Sequence, residues 1–182
     1  GKHYLADGAT TYGTGENNKL VDRGDAQMTE AELREKYLPP YKALVDAGVK
    51  TVMPSFSSFQ GTKMHANKYL ITDVLKGELG FDGFVISDWE AINSLGGKDL
   101  SENIIISTNA GVDMFMQPYQ AEDVFKNIVE AVGNGKITQE RVDDAVTRIL
   151  RVKMEMGLFE DPMQKNIKSD VTELGSDKYR DL

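Results

Sequence analysis

The sequence has 182 residues, enough for one ordinary domain with a sizeable core, and its 40% hydrophobic and 27% charged residues are typical of globular proteins. Its formal charge of −8 repels phosphate backbones and anionic lipid headgroups, which argues against nucleic-acid and membrane partners. It contains no cysteine, which excludes both a disulfide framework and a thiolate metal site.

No apolar run approaches the roughly 20 residues that cross a bilayer, and no signal peptide is visible. The chain starts with Gly1 rather than Met, so we expect it to be a processed or excised piece whose true N-terminus is not seen. The localisation is therefore left open, and secretion or a periplasmic location is compatible with the sequence.

Apolar segments of strand length alternate with helical patterns along the chain. In chain order the sequence predicts a helix from the capping box Thr29–Glu32, interrupted by Pro39-Pro40, to Gly48; a strand over 49–55; a helix over 67–79; a strand over 83–87; a helix from the N-cap Ser101 to Gly111; a strand over 112–116; and helices over 121–132 and 138–156. This alternation predicts a parallel sheet with outer helices. The polar tail 160–182 is interpreted as a linker or surface strap.

Three predicted strands are too few for a closed barrel or a comfortable doubly wound sheet. Two explanations are open: a further strand hidden in the first 28 residues, which otherwise have the pattern of a loop, or a chain that is one piece of a larger α/β domain. We expect the second.

Chemically distinctive residues follow the predicted strands. Asp88 and Trp89 follow the second strand, Phe56 the first and Met116 the third, and Lys2-His3 would end a fourth strand lying upstream. In parallel α/β folds the ligand binds at the carboxyl ends of the strands. A carboxylate beside an indole suits a sugar, because the acid can attack or stabilise an oxocarbenium-like centre while the ring covers the pyranose C–H surface.

Each of these residues also has an ordinary structural interpretation. Asp88 could cap the following helix or turn, Trp89 could belong to the core, His3 could be structural and Lys2 solvated. His3 and His65 are too few for a histidine metal site, and no carboxylate cluster has ligand spacing. Gly13-Thr-Gly15 lacks both a preceding strand and a phosphate-loop lysine, so we predict neither a metal nor a cofactor.

Four stretches of the chain resemble the catalytic barrel of glycoside hydrolase family 3, in order and with matching spacing. They are "KHYLADGATTYG" from Lys2, the long stretch from "YLPPYKALVDAGVK" to "GFDGFVISDWEAI", "AGVDMFMQP" and "RVDDAVTRILRVKMEMGLFEDP". The resemblance is strongest to β-glucosidases and β-glucan exohydrolases. It implies that residues 1–159 are the C-terminal portion of a (β/α)8 barrel and that 160–182 lead to a missing second domain.

The same resemblance implies a retaining, exo-acting enzyme that removes β-linked glucosyl units through a covalent intermediate. In it Asp88 would be the nucleophile and Trp89 a sugar platform. The other implied substrate contacts are Lys2 and His3, which would bind hydroxyls of the non-reducing glucosyl unit, and Met53, Phe56 and Met116, which would line the pocket. Many relatives have Tyr at position 56, so Phe56 removes one hydroxyl contact.

The resemblance places the acid/base glutamate in the following domain, and an aspartate and an arginine on earlier barrel strands, all outside this sequence. An alternative is therefore a non-catalytic carbohydrate-binding or scaffold piece. A flavodoxin-like domain that binds phosphate or a protein is a third possibility, but the sequence has no phosphate-cradling loop after a strand. The complete reading frame would separate the first two, whereas linkage, aglycone and oligomeric state stay open.

Overall fold

The computed structural model describes residues 1–163, 165 and 175–180. The strands are β1 Asp25–Ala26, β2 Thr51–Val52, β3 Ser58–Phe59, β4 Thr62–Lys63 and β5 Phe84–Val85. The α-helices are α1 Glu30–Lys36, α2 Leu38–Asp46, α3 Leu100–Ala110, α4 Ala121–Gly133, α5 Gln139–Glu155 and α6 Asp177–Arg180. A π-helix covers Tyr69–Glu78, and single 3₁₀ turns cover Asp7–Ala9, Met64–Ala66 and Ala91–Ser94.

The chain divides into two compact units, Gly1–Val152 and Lys153–Leu182. The predicted boundary at 159/160 stays a prediction, since residues 164, 166–174 and 181–182 of the predicted linker or strap lie outside the described residues. In the part of the chain that the structure describes, no helix combines the length and apolar character needed to cross a membrane.

Four chain segments lie side by side and parallel in the first unit. β2 pairs with β5, with Thr51 opposite Phe84 and Val52 opposite Val85. A bridge between Tyr4 and Pro54 adds the N-terminal segment to one side, and a bridge between Ile86 and Met114 adds a fourth segment to the other. The parallel arrangement of the three predicted strands is thus observed, and the segment that carries Lys2 and His3 joins them.

The third predicted strand, 112–116, is reduced to the single bridge at Met114. The Asp113 side chain accepts the Val85 N–H at 2.8 Å, while the amides of Asp113 and Met114 both donate to the Val85 carbonyl. Because a carboxylate replaces one backbone acceptor, the regular ladder does not continue.

A second small sheet was not predicted. β1 runs parallel to β3, and β3 forms an antiparallel hairpin with β4. The hairpin turn consists of Gln60 and Gly61, which both have positive φ (48° and 78°), as a two-residue turn matching strand twist requires. The first 28 residues therefore do contain a strand, although two-residue strands are too short to show an alternating pattern.

The helix predictions hold with two differences. The capping box is present, since Glu32 N–H donates to Thr29 Oγ1 at 3.2 Å and Thr29 N–H donates to Glu32 Oε2 at 3.0 Å. Tyr37 separates α1 from α2, with the prolines in the first turn of α2, where missing N–H groups are tolerated. The predicted N-cap Ser101 was wrong, because Asp99 caps α3 by accepting the Glu102 N–H at 2.9 Å.

Two apolar clusters hold these elements. The larger packs the four parallel segments against α1, α2 and the π-helix, and its buried members include Tyr4, Leu33, Val52, Ile71 and Val85. The smaller contains Ile92, Ile104, Val124, Ala131 and Ile137. Both lie directly beside the loop after β5, so the backbone that carries Asp88 leaves a packed core.

Candidate active site

Asp88 lies where the chain leaves β5, and its two carboxylate oxygens have different surroundings. Oδ1 accepts the Trp89 N–H at 2.6 Å. Oδ2 lies 3.8 Å from Nε2 of His3, and the Asp88 side chain keeps 23% of its surface exposed. One oxygen is therefore held by the backbone, while the other faces an imidazole in partly solvated surroundings.

The structure gives little support to a capping role for Asp88. Glu90 occupies the N-cap position of the following turn, Ala91–Ser94, which has no side-chain cap. The preceding residue, Ser87, joins two segments instead, because its Oγ accepts the Met116 N–H at 2.7 Å and donates to the Asp88 carbonyl at 3.0 Å. These bonds fix the backbone and leave the Asp88 carboxylate available.

His3 belongs to a chain of polar groups. Its Nδ1 lies 3.1 Å from Asp7 Oδ2 and must be the donor, because an ionised carboxylate only accepts. The other Asp7 oxygen accepts the Ser55 hydroxyl at 2.9 Å, and Ser55 Oγ lies 2.7 Å from Ser57 Oγ. This chain orients the imidazole so that Nε2 points toward Asp88.

His65 lies beneath the same site. Its Nε2 accepts the Asp88 backbone N–H at 2.9 Å, and its ring lies 6.3 Å from that of Phe56 in an edge-to-face arrangement. Only 1% of the residue is exposed, and this burial lowers the pKa of His65 to about 4 because it disfavours the charged imidazolium.

An open cleft of about 280 Å³ lies above these groups. It is lined by His3, Asp7, Asp22, Arg23, Phe56, Asp88 and Trp89. The Arg23 guanidinium lies 3.9 Å above the Phe56 ring, and the half-exposed Trp89 ring meets Tyr119 edge-to-face with 6.0 Å between centroids. The cleft is therefore an acidic pocket with aromatic walls, able to hold a small polar ring with apolar faces.

Four of the seven predicted site residues line this cleft: His3, Phe56, Asp88 and Trp89. Lys2 instead lines a neighbouring cavity of about 310 Å³ with Lys36 and Tyr37, although His3 and Asp7 line both. Met53 and Met116 are placed nearby through their backbones: Met53 pairs with Gly1 and Tyr4, and Met116 with Ser87 and Glu90. Substrate contacts by Lys2 and these two methionines stay predictions.

The sequence of the chain identifies the protein family. Residues 1–152 match the model described as "Glycosyl hydrolase family 3 N terminal domain". The chain belongs to glycosyl hydrolase family 3. The predicted family is thereby confirmed, and with it the α/β fold of a partial (β/α)8 barrel.

Individual relatives of this family 3 chain agree. A β-xylosidase of Formosa agariphila is 34% identical over 99% of this chain, and a periplasmic β-glucosidase of Salmonella typhimurium is 37% identical over 88%. A β-glucosidase structure from Listeria innocua superposes with a TM-score of 0.84 at 34% identity over 99% of this chain. The chain spans only 26%, 20% and 24% of the lengths of these three proteins.

Several residues that line the cleft or contact its wall were not predicted from the sequence. Asp7 begins the 3₁₀ turn after the N-terminal segment, Asp22 and Arg23 lie in the loop before β1, and Tyr119 follows the fourth segment. Loop residues show no periodicity, so only the closeness of Asp7 to the Lys2-His3 pair could have indicated it. Among the described residues no group of three or more His, Cys, Asp or Glu side chains could hold a metal ion.

Proposed function

We propose that the protein containing this family 3 chain is a retaining, exo-acting glycoside hydrolase that removes β-linked glucosyl units from oligosaccharides or β-glucans. The observation that carries the proposal is the placement of Asp88. Its Oδ2 faces an open cleft beside His3 and Trp89, while its backbone is held by the core and by His65. The names of relatives, which include β-glucosidases and exo-1,3/1,4-β-glucanases, support glucosyl units as the substrate class.

In the first step Asp88 attacks the anomeric carbon with the electron pair of Oδ2. The bond to the leaving oxygen breaks, and that oxygen takes a proton from a general acid as the glycosyl–Asp88 ester forms. We place this acid outside the present sequence, in a second domain reached through residues 160–182. In the second step water, deprotonated by the same group, attacks the anomeric carbon and restores the Asp88 carboxylate.

The other cleft residues bind and orient the sugar. The half-exposed Trp89 ring offers an apolar face to the pyranose C–H groups, and its edge-to-face contact with Tyr119 limits its rotation. The Asp7 carboxylate fixes the ring of His3, so that Nε2 can serve a sugar hydroxyl near Asp88. Lys2 would bind a second hydroxyl if substrate reaches its neighbouring cavity.

We also propose a secreted or periplasmic location. Two relatives, from Salmonella typhimurium and Dickeya chrysanthemi, are named periplasmic enzymes. Fractionation of the source cells, followed by detection of the protein with an antibody to this chain, tests the proposal. A cytoplasmic signal overturns it.

The activity is tested with the complete protein encoded by the gene that contains this sequence. It is incubated with an aryl β-glucoside and with cellobiose, and proton NMR records which anomer of glucose appears first. Release of the β-anomer supports a retaining glucosidase, whereas the α-anomer contradicts retention. Sugar binding without hydrolysis would favour the non-catalytic alternative.

The 182-residue chain alone provides a second comparison. Without a leaving-group acid it loses a contribution of about 10² to 10⁴ in rate, and activated aryl glucosides, whose leaving groups need little protonation, lose least. Equal turnover of cellobiose by the chain and the complete protein would show that the acid lies within this sequence.

A further inference from the structure

His65 is a buried imidazole that contacts the backbone of Asp88 rather than the cleft. It lies in the 3₁₀ turn Met64–Ala66, 23 residues before Asp88 in the chain. Its Nε2 accepts the Asp88 N–H at 2.9 Å, and its ring also hydrogen-bonds the Ser55 backbone. The imidazole therefore joins the ends of two neighbouring parallel segments, the one that ends at Ser55 and the one that ends at Asp88.

We infer that His65 is a positioning residue that fixes the reactive geometry of Asp88 by accepting its backbone N–H while donating to the Ser55 carbonyl. The inference rests on the proposed function, because it assigns His65 a role in that reaction. It adds a residue that does not touch the cleft and acts only through Asp88.

The other bonds of Asp88 show why this one matters. Its Oδ1 and its carbonyl bind Trp89 N–H, Ser87 Oγ and Ala91 N–H, all within three residues of it in the chain. The Ser87 hydroxyl is tied to the fourth segment only through its side chain, which accepts the Met116 N–H, and the other two bonds move together with the loop. The bond to His65 connects Asp88 to a different part of the fold, and a shift of about 1 Å in a reacting group can reduce the rate about 10²-fold.

The imidazole can accept the Asp88 N–H only if Nε2 carries no proton. The charge of Asp88 favours protonation of the ring and so does the hydrogen bond to Ser55, whereas Lys63 disfavours it; burial outweighs them and keeps the ring neutral. With Nδ1 protonated and directed at the Ser55 carbonyl, both nitrogens have partners. The alternative tautomer would place an N–H against the Asp88 N–H.

Three variants of the complete protein test the inference. His65→Leu keeps the volume but removes both bonds, and His65→Gln can both accept and donate. Met64→Leu changes a buried neighbour on the same turn and serves as the control. We expect kcat of His65→Leu to fall about 10²-fold with KM within a few-fold of wild type. His65→Gln should recover at least a tenth of the wild-type kcat, and Met64→Leu should keep it.

A wild-type kcat in His65→Leu overturns the inference, and so does an equal loss in His65→Leu and His65→Gln, because shape rather than hydrogen bonding would then matter. A readout independent of activity is the ¹⁵N NMR spectrum of histidine-labelled wild-type protein at pH 7. The expected His65 signals are a protonated Nδ1 and an unprotonated Nε2. A protonated Nε2 overturns the inference even if the variants do not fold.

The same experiments separate this inference from the proposed function. A wild-type protein that hydrolyses β-glucosides while His65→Leu is unimpaired refutes only the role of His65. A wild-type protein that hydrolyses no β-glycoside refutes the proposed function and, with it, the positioning role of His65 in that reaction. In that case the NMR spectrum still decides whether His65 holds the Asp88 backbone.

Discussion

Two aspartates on neighbouring segments of the parallel array, Asp113 and Asp88, have opposite environments. The Asp113 side chain is 0% exposed and receives Lys76 Nζ at 2.8 Å, the Val85 N–H at 2.8 Å and the Arg141 guanidinium. The Asp88 side chain is 23% exposed, binds one backbone amide and lies 3.8 Å from a histidine nitrogen. A buried carboxylate is tolerated only when it is paired and hydrogen-bonded, as that of Asp113 is.

The surroundings of Asp113 contribute to the stability of the fold, whereas those of Asp88 leave its carboxylate able to react. Around Asp113 the network continues through Asp144, which binds both Arg141 and Arg148, so that strand, π-helix and α5 are joined by matched charges. At Asp88 the backbone N–H is bound by His65, but the carboxylate is left with spare acceptor capacity facing a cleft. A group kept in this state can bond to a substrate carbon.

The largest expected effect is that of Asp88→Asn on activity. The amide can still accept the Trp89 N–H, so the melting temperature should hardly change, but it cannot form the glycosyl ester. We expect kcat/KM for an aryl β-glucoside to fall by several orders of magnitude. The matched control is Asp82→Asn, which removes an exposed carboxylate bound to Lys50 near the start of the same strand and should keep the activity. If Asp88→Asn kept most of the wild-type activity, Asp88 would not be the nucleophile and its role would be structural.

The next largest effect is that of Asp113→Leu on stability. It removes the buried carboxylate that pairs with Lys76 and Arg141 and leaves them only Asp144, and breaking a buried pair costs up to about 3 to 5 kcal/mol. Urea unfolding of the complete protein measures it, with the exposed Asp143→Ala as the control, expected within about 0.5 kcal/mol of wild type. Below its unfolding transition the Asp113 variant should keep the wild-type kcat. A large loss of kcat under conditions where the variant is fully folded would show that the Asp113 network also affects the reaction at Asp88.

The third effect is a pH dependence of stability that arises at His65. Burial lowers the pKa of His65 from 6.5 to about 4 in the folded protein. Between these values only the unfolded chain takes up the proton, so the stability contributed by neutral His65 is complete above pH 6.5 and is lost as the pH falls toward 4. The loss amounts to at most about 3 kcal/mol.

Urea unfolding at pH 7 and pH 4.5 measures this loss. His65→Gln has no such proton, so its stability should fall less than that of wild type over the same interval. Parallel curves for the two proteins would show that His65 is not held neutral by burial.

The smallest effect concerns the aromatic wall of the cleft. Tyr119, which is 78% exposed, contacts the Trp89 ring edge-to-face, and Tyr119→Ser removes this contact. A contact of this kind contributes about 0.5 to 1.5 kcal/mol. We expect KM to rise a few-fold with kcat nearly unchanged. Tyr12→Ser, at an exposed tyrosine outside the cleft lining, is the control. An unchanged KM at Tyr119 would show that Trp89 needs no support.

Features with a local chemical signal could be predicted from the sequence. The Thr29–Glu32 capping box needs only two side chains three residues apart, and the apolar runs before Ser55 and Asp88 indicate buried parallel segments by themselves. Asp88 and Trp89 were placed after a strand because the end of an apolar strand is recognisable, whereas their roles as nucleophile and sugar platform were implied by the family resemblance and stay predictions. These predictions depended on residues that are close together in the chain.

Features that depend on long-range pairing could not be predicted. β1 exists because Asp25 and Ala26 lie beside Ser58 and Phe59, and the fourth segment keeps only one bridge because the Asp113 carboxylate replaces a backbone acceptor. The bond from His65 to Asp88 is of the same kind, since it joins residues whose separation has no helical or strand period. Such contacts appear only when the fold brings the segments together.

Covalent trapping shows directly which carboxylate forms the bond to the sugar. The complete wild-type protein is treated with a 2-deoxy-2-fluoro-β-glucosyl inactivator, digested and mapped by peptide mass spectrometry. We expect one fluoroglucosyl group on the peptide that contains Asp88, with fragmentation placing it on that residue, and no label in Asp88→Asn. A label on Asp7, on Asp22 or on a carboxylate elsewhere in the protein would contradict it.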